Sequence, residues 1–284
     1  MCIRDRFEGA EISSGQRAAP GAIERVRIDP LTLEAHVKVI GSELWSNETG
    51  FEDATAATGV TGLCGSGLIE AVGEMFLTGI ITADGVIRAE LADSSPFVVR
   101  EGRTASYIVW KGARELRITQ ADVRAIQLAK SALYAGCRLL MDRMGVARVD
   151  RIKFAGAFGN YIDPTYAMVL GLIPDCALDK VQAVGNAAGA GARMALVNRA
   201  HRREAEDLVR RIEKVETAIE PRFQEHFVSA MGLPTSVEAF PELARAVVLP
   251  APVIRSVEAA AEGGAGGRRR RRRTRPEAPQ PESA

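Results

Sequence analysis

Ile152-Lys153-Phe154-Ala155 reads as a buried strand that breaks into the turn Gly156-Ala157-Phe158-Gly159-Asn160. Glycine lets a backbone approach a ligand with no Cβ in the way, and a strand ending in such a turn is a common seat for a nucleotide. A second run of small residues, Val184-Gly185-Asn186-Ala187-Ala188-Gly189-Ala190-Gly191-Ala192-Arg193, reads as a strand end feeding a helix. Glycine inside a helix costs about 1 kcal/mol relative to alanine, so Gly189 and Gly191 within one turn point to a close backbone approach, to another helix or to a ligand. Gly65-Ser66-Gly67 opens a third candidate element. The free N–H groups and dipole of a helix N-terminus can hold an anion there, although tight packing alone also accounts for the glycines. Lys130, on a long helix, can reach a ligand held at its side, and a solvated lysine is the ordinary alternative.

These residues need a frame. Val26-Arg27-Ile28 and Ala35-His36-Val37-Lys38-Val39 alternate like half-buried strands on either side of Asp29-Pro30, which predicts a hairpin. The stretch from Phe7 to Ile23 is rich in small and turn-forming residues and reads as a loop crossing a site. Leu68, Ile69, Val72, Met75 and Phe76 recur at helical spacing behind the Gly-Ser-Gly turn. After a strand at 106–110, Thr119 with Asp122 three residues on resembles a capping box and starts a helix expected to run to about Met144, with Gly145 as its stop. Asp163-Pro164 starts another helix beyond the 156–160 turn. The region 202–217 reads as helical, with Leu208, Ile212 and Val215 as a partial apolar stripe.

The 284 residues, 46% hydrophobic and 26% charged, suffice for one large domain or two small ones with a real core. No apolar run approaches the roughly 20 residues of a membrane span, and no segment has the order of a signal peptide, so a cytoplasmic protein is expected. Cys64, Cys137 and Cys176 lie far apart without metal-ligand spacing and read as small reduced hydrophobes. Met1-Cys2-Ile3-Arg4-Asp5-Arg6 matches the translation of a common sequencing adapter, so residues 1–6 are expected to be foreign to the gene. At the other end, Arg268 to Arg273 and Arg275 put seven positive charges in eight residues. Removing 268–284, with seven arginines and two glutamates, leaves 30 basic and 34 acidic residues, so the net charge of +1 hides a mildly acidic body. The Arg-, Pro- and Gly-rich tail, 251–284, has too little apolar surface to fold alone. It can neutralise phosphates, meet an acidic protein or simply be solvated. Nucleic-acid recognition is the weaker of these readings because no aromatics are interleaved for base stacking.

Taken together, Phe7-Glu8-Gly9-Ala10, the 61–67 turn, Gln127-Leu128-Ala129-Lys130, Ala155 to Asp163 and the 184–193 run resemble, in order and spacing over residues 7–250, the C-terminal part of the reductive activators of corrinoid proteins. These belong to the acetate-and-sugar-kinase, heat-shock-chaperone and actin superfamily. The resemblance implies an α/β, ribonuclease-H-like actin-type ATPase fold, here the second lobe with part of its insertion, and ATP with Mg2+ between two lobes. It also implies an upstream ferredoxin domain with a 2Fe–2S cluster, a corrinoid protein of a methyltransferase system as partner, and a homodimer. Such proteins return inactive Co(II) corrinoid to Co(I) at the expense of ATP. On the family pattern Gly156, Ala157, Phe158, Gly159 and Asn160 border the adenosine and Lys130 lies near the base or ribose. Gly65, Ser66 and Gly67 face the phosphates, and Gly189 to Gly191 belong to the inter-lobe helix. The cluster cysteines and the Asp-Ile-Gly-type phosphate turns that precede Phe7 in the family are absent from this sequence, so the chain as it stands is expected neither to carry electrons nor to hydrolyse ATP efficiently. Two other classes stay open: another actin-like ATPase or small-molecule kinase, and a non-catalytic partner-binding module.

Overall fold

The alternating segments around Asp29-Pro30 form the expected hairpin: β1 (Ala22–Ile28) and β2 (Ala35–Val39) pair antiparallel, with Val26 opposite Val37 and Ile28 opposite Ala35. The structure, a computed structural model, describes residues 12–156, 158–217 and 219–250, all within one compact unit. Residues 1–11, with the adapter-like start and Phe7-Glu8-Gly9-Ala10, lie outside the described residues, as do Ala157 and the tail 251–284 with its arginines. Ala22 and Ile23, expected in a loop, belong to β1. Their small and apolar side chains are fully buried, and they pair in parallel with the two-residue strand β3 (Gly62–Leu63), giving a sheet of order β2-β1-β3. A five-residue helix, α1 (Phe51–Thr55), precedes β3.

Helix α2 (Gly65–Leu77) lies against β1 and is buried along almost its whole length. Glycine permits that approach. A Cβ on Gly67 would stand 2.2 Å from the Ile23 carbonyl oxygen, and one on Gly73 would stand 2.6 Å from the Tyr166 ring. Beyond β3, the edge of β1 has no strand to pair with among the described residues. Two carboxylates one helical turn apart fill the place: Val26 N–H donates to Glu70 at 3.0 Å and Ile28 N–H to Glu74 at 2.9 Å. The charge on Glu70 is met by Arg25 at 2.5 Å and Arg27 at 2.6 Å, and Glu74 also accepts from the Tyr166 hydroxyl. Buried polar groups must be hydrogen-bonded or carry a large penalty, and here each carboxylate satisfies the sheet while the sheet and its neighbours satisfy it.

The strand expected at 106–110 is the centre of an antiparallel sheet of order β4-β5-β6, built from β4 (Val98–Glu101), β5 (Thr104–Trp110) and β6 (Leu116–Thr119). From β6 the chain passes directly into α3 (Gln120–Met144). Both halves of the Thr119–Asp122 capping box form, and Gly145 closes the helix in the left-handed conformation at φ 65°. Four consecutive turns of α3 hold the 230–238 segment that follows α7 (Pro221–Ser229). Gln127 donates to Met231 O at 2.7 Å, Ser131 to Ala230 O at 3.0 Å, Tyr134 to Glu238 at 2.5 Å, and Arg138 pairs with Glu238 at 3.2 Å.

Three-residue strands β7 (Ile152–Phe154) and β8 (Val181–Ala183) form a parallel pair. Between them, Asp163 caps α4 (Pro164–Val169) by accepting the Thr165 N–H at 2.8 Å, with Pro164 at the first helical position where its missing N–H costs nothing. After β8 come α5 (Ala187–Val197) and α6 (Arg199–Val209), neither with a buried residue, and near the end α8 (Pro241–Ala244). The helix expected over 202–217 therefore starts earlier and stops at Val209. Leu208 and Ile212, meant as its apolar stripe, are 52% and 66% exposed, and without burial against a partner a stripe does not sustain a helix.

Candidate nucleotide site

Strands β7 and β8 run in parallel with Phe154 level with Ala183, and both then reach a left-handed glycine at the same height: Gly156 at φ 102° and Gly185 at φ 69°. That conformation is open to glycine and costly for residues with a Cβ. The two turns are bonded to each other. Val184 N–H donates to Phe154 O at 2.8 Å, and Gly156 N–H donates to Gly185 O at 2.8 Å. Gly185 O also accepts from Ala187 N–H at 2.9 Å, while Gly185 N–H donates to the Asn160 side-chain oxygen at 3.1 Å. A short 3-10 turn, Phe158–Asn160, places that side chain. Gly159 is required for its tightness, since a Cβ there would stand 2.9 Å from Phe154 Cβ.

Past Gly185, Asn186 caps α5, its side-chain oxygen accepting Gly189 N–H at 2.8 Å. Space around Gly189 is taken by this cap: a Cβ would come within 2.7 Å of the Asn186 amide nitrogen. Around Gly156 and Gly191 nothing lies within 4 Å of where a Cβ would be. The packing of Gly189 and Gly191 against another helix, one of the two expectations for this run, is thus not what the described residues do. The result is an open-sided cradle of backbone at the carboxyl ends of two parallel strands beside a helix N-terminus, the place where open α/β sheets take ligands and where an anion meets unpaired N–H groups.

Gly156, Phe158, Gly159, Asn160, Gly189 and Gly191 all belong to this cradle. The other expected residues sit on other elements. Gly65, Ser66 and Gly67 form the first turn of α2, where Gly67 is packed on Ile23 and the Ser66 hydroxyl lies 3.2 Å from the Cys64 thiol. Lys130 is not a solvated lysine. It is 0% exposed, its ammonium position bonded to the carbonyl oxygens of Gly232 and, at 2.6 Å, Pro234. Burial without a carboxylate partner pulls its pKa well below the ordinary lysine value. Gly185 and Asn186 were read only as part of the 184–193 run and not singled out as site residues, yet they join the two turns and cap α5. Their signals are present: a glycine directly after a strand, then an asparagine directly before a helix.

The described residues contain no group of three or more His, Cys, Asp or Glu side chains able to hold a metal. Cys64 and Cys176 are buried and Cys137 is half-buried, and burial pushes the Cys137 and Cys176 thiols up.

A parallel strand pair ending in bonded glycine turns at a capped helix is an arrangement at which α/β domains take nucleotides. Comparison with known proteins sharpens the class to the actin-like one. The family model described as the C-terminal domain of RACo, the ASKHA domain, matches residues 6–244, and the chain belongs to that family. It is 34% identical over 234 residues to a corrinoid activation enzyme, RamQ, of Eubacterium limosum, a match that covers 78% of this chain and 37% of the relative. Among solved structures it resembles a reductive activator for a corrinoid, iron–sulfur protein, with a TM-score of 0.66 and 30% identity over 81% of this chain and 35% of the other. The chain thus spans little more than a third of the length of the proteins it matches.

Proposed function

We propose that the chain is the nucleotide-binding portion of an ATP-dependent reductive activator, which returns a Co(II) corrinoid protein to Co(I) in a corrinoid-dependent methyltransferase system. The observation that carries this reading is the pair of glycine turns at Gly156 and Gly185, bonded level with each other at the carboxyl ends of β7 and β8. The open space at Gly156 suits the adenosine of ATP, and the names of the relatives supply the corrinoid chemistry.

The reaction is a one-electron reduction of Co(II) to Co(I), and a 2Fe–2S cluster in the parent protein would supply the electron. The described residues hold no group of side chains to ligate such a cluster, and this reading assigns it to an upstream ferredoxin domain of the parent protein. The Mg2+ of the nucleotide likewise finds no group of carboxylates among the described residues. What this chain contributes is binding. A nucleotide that favours one state of the activator–corrinoid complex over another shifts the reduction equilibrium by the difference in its affinity for the two. The same reading takes the protein to be cytoplasmic and homodimeric; none of the described helices is long and apolar enough to cross a membrane.

The test is the reduction of a Co(II) corrinoid partner by the complete parent protein, followed by visible absorbance with and without ATP, beside equilibrium binding of ATP to this chain. Reduction that requires ATP, with binding by the chain, supports the proposal. Reduction independent of ATP, or no nucleotide binding by parent and chain, overturns it.

A further inference from the structure

The Gly156 turn and the start of α5 meet at the backbone of one residue, Gly185. Its carbonyl accepts from Gly156 N–H at 2.8 Å and Ala187 N–H at 2.9 Å, and its N–H donates to Asn160 Oδ1 at 3.1 Å. Three bonds therefore fix Gly185, and only one of them comes from a side chain. Next to it, Asn186 caps α5 by accepting the Gly189 N–H, so the Gly185 backbone leads directly into the helix N-terminus. Asn160 stands at the far end of the 3-10 turn whose other end is Phe158. Its side-chain oxygen points at the second glycine turn, across the junction between the strands.

We infer that Asn160 is a positioning residue for the nucleotide site: its side-chain oxygen staples the 156–160 turn to the Gly185 peptide and so sets the turn against the N-terminus of α5. This rests on the nucleotide-site reading above and gives Asn160 a role other than bordering the base. An asparagine that bordered the base would need its amide free to face the ligand; here the oxygen is engaged within the protein before any ligand arrives. The proposal requires an acceptor at this position and does not require the amide nitrogen, since Nδ2 makes no part of the staple.

That distinction sets the experiment, made on the full chain with ATP and adenosine as probes. Asn160→Asp keeps the acceptor oxygen and Asn160→Ala removes it. Hydrogen exchange of the Gly185 backbone amide, measured without nucleotide, reads the staple directly, and calorimetric titration reads affinity. Expected is loss of Gly185 protection and ~5-fold weaker binding of both probes in Asn160→Ala, the size of one neutral hydrogen bond, with both properties retained in Asn160→Asp. Since the bond is solvent-exposed, both variants should keep the wild-type urea midpoint. If Asn160→Ala exposes Gly185 yet binds as the wild type does, the staple does no positioning and the proposal fails. If Asn160→Asp loses affinity as Asn160→Ala does while Gly185 stays protected, the residue touches the ligand and the proposal fails differently. Wild-type chain that binds neither probe overturns the site reading itself, with Gly185 protection still showing whether the staple exists.

Discussion

Replacing Lys130 by methionine isolates a fully buried charge-bearing side chain. Methionine keeps the length and most of the volume of the lysine stem, so no cavity opens and the change falls on the polar end. Lys130 satisfies two backbone carbonyls, Gly232 O in the interior and Pro234 O at its margin. A buried acceptor left without a donor costs about 1–3 kcal/mol, and one partly reached by water sits at the low end of that range. Relief of the amine's own burial offsets part of the loss. The net expectation for Lys130→Met is a loss of about 2–3 kcal/mol, read from urea unfolding as a lower midpoint with an unchanged slope. The pH dependence gives a second, sharper reading. In the folded chain the lysine pKa is depressed, so between that value and the ordinary one of about 10.4 the unfolded chain binds one more proton than the folded chain. Wild-type stability must then rise with pH across that window, by up to about 1.4 kcal/mol per unit, and level off below the folded pKa. Buried Tyr107, Tyr134 and Tyr166 have raised pKa values and act in the opposite sense above about pH 10, and the raised Cys137 and Cys176 thiols do so above about pH 8.5, so the lysine effect is read below that pH. In Lys130→Met the rise below about pH 8.5 should disappear. A methionine variant within about 0.5 kcal/mol of wild type and with the same pH slope would refute the account of Lys130 as a desolvated two-bond clamp.

Other perturbations test other joints of the fold. Gly67→Ala drives a methyl group into the Ile23 carbonyl, which is backbone and cannot swing aside; a loss of about 3 kcal/mol is expected in thermal or urea unfolding. Glu70→Ala should cost about 3 kcal/mol, because it leaves Val26 N–H unpaired and two arginines without their counterion, whereas Arg25→Ala alone, at a partly exposed side chain, should cost about 1 kcal/mol or less. Thr119→Ala removes the cap of α3 and should cost about 1 kcal/mol, visible as faster amide exchange in the first turn of that helix.

Where a local signal decides the structure, it was legible in the sequence. The Thr119–Asp122 box and Gly145 mark both ends of α3, Asp163-Pro164 starts α4, and the alternation on either side of Asp29-Pro30 yields β1 and β2. The strand-then-glycine runs at 152–160 and 184–191 gave the cradle and its residues. What stayed hidden is decided by partners distant in sequence. Ala22 and Ile23 are strand because Gly62 and Leu63 lie on one side of them and the end of β2 on the other, and β3 is too short to show any period. Lys130 occupies a helical position that would suit a solvated lysine equally well; carbonyls a hundred residues away make it a buried one. Leu208 and Ile212 carry helical spacing, yet no neighbour covers them.

The carboxylates of Glu70 and Glu74 at the edge of β1 bear on how chains of this kind avoid one another. An uncovered strand edge offers alternating donors and acceptors to any passing extended segment, and so invites strand exchange or aggregation. Here the donors of Val26 and Ile28 are already taken by oxygens that belong to a helix and cannot propagate a ladder. A strand from another molecule would have to expel two buried acid groups before its first hydrogen bond formed. Among the described residues the sheet therefore ends on side-chain oxygens at this edge, and the two residues that supply them are fastened to the interior by α2.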